Sequence, residues 1–334
     1  MKNKLFLSIM LTGLALTGCG STPESSSSNQ ADQSTIPQQR TAYDLSKLKI
    51  ISPSGAPAFS LYNMYKQDNV EINADANNVL SYLSANSEKD IVIAPTNALT
   101  SKVMGKIDNF KIAANITFGN FYLVSVNKDG EANMTNNSYV VLFQQNQLPD
   151  RLFKYVYGSE YDLHYVTAAS DAAKCALTGK NETDNNHSVD FVLVPQPALT
   201  NVLANTKANA KLYANIQEDF KTKSNGLEIT QASIFVNTNT DKGLIDAFLG
   251  TIEHDINQAL ANPSLLKDAV EGLSQEELTN KFGVGSGQLL QKMVADNAIR
   301  IGYKKAIDNK AAIDNFLKAL NFTTGDTSEE VYYK

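Results

Sequence analysis

The sequence predicts an α/β protein made of two similar lobes, and three observations carry that reading. From Leu48 onward, short β-like runs alternate with helical patterns, the layout of α/β units around a mainly parallel sheet. The segment Asp90-Ile91-Val92-Ile93-Ala94-Pro95-Thr96-Asn97-Ala98-Leu99-Thr100 recurs without a gap 100 residues later, as Asp190-Phe191-Val192-Leu193-Val194-Pro195-Gln196-Pro197-Ala198-Leu199-Thr200. Both copies read as strand, proline turn and helix start. Two βα turns converging on one turn chemistry would look the same, and either origin leaves two similar lobes. Beyond residue 240 the pattern turns to helix throughout. The 334 residues leave room for about two units at ~150 residues each, and 43% hydrophobic residues supply their cores.

The chain opens with a short basic stretch, Met1-Lys2-Asn3-Lys4, followed by mostly apolar residues from Leu5 to Leu16. That is the length of a secretory hydrophobic region and too short to span a ~30 Å hydrocarbon core as a helix. It runs into Leu16-Thr17-Gly18-Cys19, which resembles the bacterial lipobox. The resemblance implies a signal peptide at 1–18, and a diacylglyceryl group on the Cys19 thiol that holds the protein to the outside of the cell membrane. Cys175 is then the only free thiol, so no internal disulfide forms. Residues 19–46, rich in Ser, Gln, Thr and Pro, bury too little apolar surface to offset their ordering entropy and read as a flexible tether. Outside the cytoplasmic membrane, nucleotide and nicotinamide cofactors are remote, and no cofactor is expected.

Strand-like runs follow at 49–51, 91–93, 110–116, 121–126, 139–143, 163–166, 191–194 and 233–236. In the tail, Ile245, Phe248, Leu249, Ile252, Ile256 and Leu260 form one apolar helical stripe that Pro263 stops. Ser274-Gln275-Glu276-Glu277 has the form of a capping box. Two further amphipathic helices are expected at 288–301 and 311–320, and the tail as a whole is expected to cover one lobe.

Several chemistries are excluded at this level. A formal net charge of −6 lacks the basic excess that nucleic-acid binding needs. The three histidines, His164, His187 and His254, lie far apart in sequence with no two-histidine helix spacing, so no metal site is expected. Cys175 sits in an Ala-rich helix, where cysteine behaves as a small apolar residue. No Gly-x-Ser-x-Gly elbow occurs, and the glycine-rich 283–287 segment follows a helix, reads as a helix-to-helix connection and lacks a phosphate-loop ending. No catalytic residue is assigned. With only Arg40, Arg151 and Arg300, a guanidinium clamp on a carboxylate has few candidates.

What remains is binding. In open α/β sheets, ligands sit at the carboxyl ends of strands, where helix amino termini point free N–H groups. Five segments fit: 52–57, 94–97, 144–149, 167–171 and 195–197. Their candidate binding residues are Ser52, Ser54, Gly55, Ala56, Pro95, Thr96, Asn97, Gln145, Asn146, Thr167, Pro195 and Gln196. Taken singly, each segment equally suits plain turn and capping chemistry. Phe118-Gly119 ends a strand where an aromatic ring could cover a ligand or join the core, and Tyr213 could line the pocket or pack elsewhere. Because the repeat places Thr96 and Gln196 at equivalent positions, both side chains are expected to face one solute from opposite lobes, together with Ser54 and Asn97.

The lipobox, the Ser-rich tether, Ser52-Pro53-Ser54-Gly55-Ala56-Pro57 after the first strand and the paired proline turns resemble the extracytoplasmic solute-binding lipoproteins of ABC importers. The resemblance is nearest to the type II group of nitrate, sulfonate, taurine and thiamine-precursor binders. Similar proteins also show a helix, a glycine and Val-Asp before the second proline turn, as in 172–179 and Val189-Asp190. The likeness covers 47–320, and the polar insertion at 180–188 departs from it as an exposed loop. It implies the two-lobed type II periplasmic-binding-protein fold, with β hinge crossings around 121–127 and 233–237. Lobe I would be 47–130 plus 231–334, and lobe II 131–230. It further implies a monomer that captures a small polar or anionic organic solute and delivers it to a membrane permease, without enzymatic activity. A membrane-tethered hydrolase and a surface adhesin are the readings from other classes.

The lipobox generates a direct test. Cys19→Ser should release the protein from the membrane fraction or leave its precursor uncleaved, as read by fractionation and immunoblot; unchanged retention and processing would contradict the anchor.

Overall fold

The computed structural model describes residues 43–126 and 133–334. The signal segment, Cys19, the tether to residue 42 and the expected lobe boundary at 130/131 lie outside the described residues. Two sheets organise the rest. The first has six strands in the order β13-β4-β12-β3-β1-β2, formed by β1 (Ile50–Pro53), β2 (Val70–Asn73), β3 (Ile91–Pro95), β4 (Phe110–Thr117), β12 (Ala232–Asn237) and β13 (Ile301–Lys305). The second has five in the order β11-β5-β10-β6-β7, formed by β5 (Phe121–Ser125), β6 (Tyr139–Phe143), β7 (Asp162–Val166), β10 (Phe191–Pro195) and β11 (Lys211–Asn215). A short hairpin, β8 (Lys180–Asn181) with β9 (His187–Ser188), occupies the polar insertion.

The central strands are continuous apolar runs because helices cover both faces, as parallel sheets require; β3 is buried through Ala94 and β10 through Val194. The 100-residue repeat has a structural meaning. β3 runs parallel to β1 and antiparallel to β12, and β10 runs parallel to β6 and antiparallel to β5. Each repeat strand thus has one parallel and one antiparallel neighbour, and each ends at its proline, Pro95 opposite Ala232 and Pro195 opposite Phe121.

The chain passes between sheets at two places, both displaced from expectation. All of β5 belongs to the second sheet, so the first crossing is Phe118-Gly119-Asn120, ahead of 121–127. All of β12 belongs to the first sheet, so the return falls in the segment before Ala232, ahead of 233–237. The periodicity of an apolar run marks a strand without saying which sheet it joins. The turn depends on Gly119, at φ +96°, where an added Cβ would lie 2.6 Å from Gln217 Cγ.

Helix α1 (Ala76–Ser81) covers the first sheet, while α2 (Leu148–Tyr157), α3 (Ala169–Thr178), α4 (Ala198–Ala204) and α5 (Ile216–Lys223) dress the second. In the tail, α6 (Lys242–Ala261) buries Ile245, Phe248, Leu249, Ile252 and Ile256 against Ile91, Ile93 and Ile234 of the first sheet, while Leu260, the last residue of the predicted stripe, is exposed. Helices α7 (Ser264–Ala269), α8 (Gln275–Phe282) and α9 (Gly287–Ala295) share a separate core with Phe59, Tyr62 and Tyr65. The capping box forms at α8, with Ser274 Oγ accepting from Glu277 N at 3.2 Å and Glu277 Oε2 from Ser274 N at 2.8 Å. The helix expected over 288–301 ends early instead. Asn297 and Arg300 take φ of +52° and +45°, and Ile301 then pairs with Thr117 as the start of β13.

The tail also does more than cover one lobe. Helix α10 (Lys310–Ala319) is tied to the first sheet by Asn309 Nδ2, which donates to Asn115 Oδ1 at 2.8 Å, while the Phe316 ring meets Phe220 of α5 edge-on at 6.0 Å. One continuous core therefore runs from Ile51, Val92 and Phe235 of the first sheet to Leu123, Val192 and Phe220 on the side of the second. Removing one of these buried rings costs about 3–5 kcal/mol, and an aromatic pair adds roughly 0.5–1.5 kcal/mol beyond burial. Phe316→Ala should therefore destabilise the protein by several kcal/mol in denaturant unfolding, and the double mutant with Phe220→Ala should fall short of additivity; strictly additive losses would contradict the bridge.

Candidate functional site

The carboxyl ends of β3 and β10 meet at the two crossings, and backbone hydrogen bonds build that junction. Gln231 N donates to Thr117 O at 2.9 Å, Thr96 N donates to Gln231 O at 2.9 Å, and Gln196 N donates to Asn120 O at 2.8 Å. Asn120 completes the last pair by donating from Nδ2 to Gln196 O at 2.9 Å. Each proline turn is thereby fastened to one crossing. Gln217, the second residue of α5, accepts Phe121 N at 2.7 Å and fixes the helix start beside Gly119.

The turn after β1 closes the front of the junction. Gly55 N donates to Lys281 O at 3.1 Å, and Pro197, joined to Gln196 by a cis peptide bond, lies against both Gly55 and Gly283. Gly283, at φ +72°, caps the end of α8, and a Cβ there would come within 2.7 Å of Pro197 Cγ. Asn201 Nδ2 donates to Gly283 O at 3.3 Å. The 283–287 segment is the helix-to-helix connection expected, and it also supplies a surface on which the second-sheet turn rests. Open surface concavities lie elsewhere, one at residues 43–46 and 67–69 and one along α10.

The expected site residues divide into three groups. At the junction but engaged in their own turns are Ser52, whose buried Oγ donates to Pro53 O at 3.0 Å, and Ser54, whose N donates to Asn73 O at 3.0 Å. Thr96 and Gln196, expected to reach a solute, are in this group. Thr96 Oγ1 bonds Ser233 Oγ at 2.7 Å, which also accepts from Asn115 Nδ2 at 2.9 Å. Gln196 Oε1 accepts from Thr200 N and Oγ1 at 3.2 and 2.9 Å and caps α4. A strand running straight into a helix leaves buried hydroxyls and free N–H groups, and the nearest side chain satisfies them. Pro95 and Pro195 are half-buried strand ends, and Asn97 is buried with Oδ1 unpartnered.

On the rim, Gln145, Asn146 and Thr167 are exposed, and Asn146, at φ +63°, donates its N to Asp150 Oδ2 at 2.7 Å. The remaining residues pack against other parts of the protein. Ala56 joins the core of Phe59 and Phe282. Phe118 packs on Gly302, with the Lys304 ammonium 4.8 Å from its ring centre, and Gly119 is filled by Gln217 and Ile229. Tyr213 is a correction. Its ring packs on Phe191, 4.8 Å between centres, at the opposite end of β10 from Pro195.

Sequence reading passed over Thr117, Asn120 and Gln231. Thr117 and Asn120 are buried, and Thr117 Oγ1, Asn120 Oδ1 and Gln231 Oε1 are buried atoms without a partner. Their signal is a polar residue interrupting apolar strand runs, at Ile116-Thr117, Gly119-Asn120 and Thr230-Gln231.

The charges nearby are already paired. Arg300 forms an ion pair with Glu218 of α5, and this contact holds the Glu218 carboxyl below its usual range. Arg151 donates from Nε to Asn146 O at 2.9 Å and from Nη1 to Leu320 O at 3.0 Å, with its guanidinium 4.4 Å from the Phe322 ring centre. His164 and His187, well separated in sequence, both stack on the Tyr139 ring, at 3.7 and 4.5 Å between centres. Among the described residues, no group of three or more His, Cys, Asp or Glu side chains is arranged to hold a metal. Burial pushes the Cys175 thiol up to about 11, which keeps it protonated at neutral pH.

No protein-family model and no curated sequence matches the chain. Solved structures do. An ABC transporter protein from Parabacteroides distasonis superposes with a TM-score of 0.63 at 18% identity, covering 86% of this chain and 98% of that one. The zinc-bound ligand-binding component of an ABC-type import system from Staphylococcus aureus gives 0.58 at 11% identity, covering 86% and 96%. The periplasmic aliphatic sulphonate binding protein of Escherichia coli gives 0.56 at 11% identity, covering 86% and 92%. The chain has the periplasmic-binding-protein fold that the sequence predicted.

Cys175 offers a check on the packing of α3. Native protein should resist alkylation by iodoacetamide near neutral pH and react fully once unfolded, as counted by intact mass; rapid native labelling would contradict a buried, protonated thiol.

Proposed function

We propose that the protein is the extracytoplasmic substrate-binding component of an ABC importer, capturing one small polar solute between its two sheets and presenting it to a membrane permease. The observation that carries this reading is the junction itself, where the carboxyl ends of β3 and β10 converge and buried polar atoms are left without partners. The fold shared with import-system binding components supports it. In this reading lobe I is 47–118 with 231–334 and lobe II is 119–230, the first boundary moving from 130 to the crossing because β5 joins the second sheet. Asn97, Thr117, Asn120 and Gln231 contact the solute, while Ser54, Gly55, Pro95, Pro195, Gln145, Asn146 and Thr167 line its approach.

The contact of Pro197 with Gly55 and Gly283 is the closed form, and opening separates these residues about the two crossings. A solute can drive closure only through a difference in affinity for the two forms. Lipid on Cys19 and the 19–46 tether keep the monomer at the membrane, within reach of its permease. No bond is made or broken in this cycle, in keeping with a thiol held protonated.

Native mass spectrometry of protein purified from its own cells tests the reading. One solute per chain should be retained, and stripping it should lower the melting temperature, since ligand at 100 times its Kd stabilises by about 2.7 kcal/mol. Protein that holds no solute and shows no thermal response to extracts of its growth medium would overturn the proposal.

A further inference from the structure

We infer that the captured solute is uncharged and presents N–H or O–H donors together with an acceptor, as an amide, urea or polyol does. This rests on the capture reading and narrows its solute. Three nearly fully buried side chains each leave an oxygen unpartnered, Asn97 Oδ1, Thr117 Oγ1 and Asn120 Oδ1, and the Oε1 of half-buried Gln231 does the same. All four residues lie within one position of the backbone bonds that join the crossings: Thr117 and Gln231 are bonded to each other, Asn97 follows Thr96, and Asn120 carries the bond to Gln196. At Asn120 the amide orientation is fixed by its partner, because Nδ2 is spent on Gln196 O and only the oxygen is free. A buried acceptor without a donor is costly, so a set of them marks a place that a donor-bearing molecule or water fills.

The charge of that molecule follows from what stands near. Among the described residues the buried carboxylate or basic side chains are Asp150, Asp255 and Asp314, on α2, α6 and α10. None lies on the crossings or the proline turns, and Asp150 and Asp314 are already paired with Lys154 and Lys310. Arg300 reaches the first crossing through its backbone, where its carbonyl accepts from Phe118 N at 3.0 Å, but its charge is matched by Glu218. Its buried Nε is an unpartnered donor, as the Thr117 hydroxyl also is, and suits a carbonyl or hydroxyl oxygen. An anion here would face three amide oxygens and one hydroxyl with no unpaired cation, and a cation would find no free carboxylate, so either would be buried without a compensating charge. A neutral solute with donors meets the free oxygens without that penalty. The site thus differs in kind from one that would take a sulfonate or a zinc ion.

The test uses wild-type protein from its own cells. The released molecule is identified by accurate mass, and the emptied protein is melted with sodium sulfate, sodium nitrate, sodium methanesulfonate or zinc chloride, each at about 10 mM so that ligands with millimolar Kd register. The expected result is a molecule of zero net charge at pH 7 carrying N–H or O–H groups, and no rise in melting temperature with any of the four salts. Thr117→Val should fold with a melting temperature at or above the parent's and bind the released molecule about fivefold or more weakly; should it fail to fold, Gln231→Ala takes its place with the same expectation. A charged released molecule, stabilisation by any of the salts, or parental affinity in the folded variant overturns the inference and leaves capture standing. Protein that retains no solute at all removes the capture reading, and the inference with it.

Discussion

The two-sheet arrangement depends on one residue's backbone. Gln231 donates its N–H to Thr117 and accepts from Thr96 through its carbonyl, so a single residue ties the outgoing crossing, the returning crossing and the first proline turn. A buried amide must be paired, and here pairing it fixes where the chain changes sheets. The bond from Gln196 N to Asn120 O repeats the arrangement on the other side. The junction therefore has an approximate symmetry that follows the sequence repeat, although the crossings themselves share no sequence.

Around this knot, side chains of opposite kinds divide the work of holding the sheets together. Behind it, α10 shares its apolar face between both sheets, with Phe316 on Phe220, while Arg151 spans from α2 to the carbonyl end of α10. In front, Pro197 rests against two glycines and Asn201 donates one hydrogen bond to Gly283. Burial behind is extensive and apolar; contact in front is small.

The arginines show how scarce residues are used. The sequence has three, and the two within the described residues both join an element of the second sheet to the carboxyl-terminal part of the chain, Arg151 at α10 and Arg300 through Glu218. A planar fork with several donors suits a bridge between backbone carbonyls, a ring and a carboxylate. Arg151 and Arg300 both serve as such bridges, with the buried Arg300 Nε left without a partner.

Local chemistry determined much of this protein on its own. The repeat, the apolar strand runs, the α6 stripe and the Ser274 capping box are short-range patterns, and each appears where its residues indicated. Tertiary structure decided what sequence periodicity cannot carry. An apolar strand fits either sheet equally well, so β5 was recognised but placed with the first lobe, and the crossings were placed a few residues late. Asn297 and Arg300 broke an amphipathic run into helix and strand only because Ile301 finds Thr117 across the sheet. The site shows the same division. The proline turns were legible, yet Thr96 and Gln196 turn to Ser233 and Thr200, while Asn97, which the sequence named, and Thr117, Asn120 and Gln231, which it did not, are left with free oxygens at the junction. Which polar atom is satisfied and which is left over is settled by long-range neighbours, and no local pattern records them.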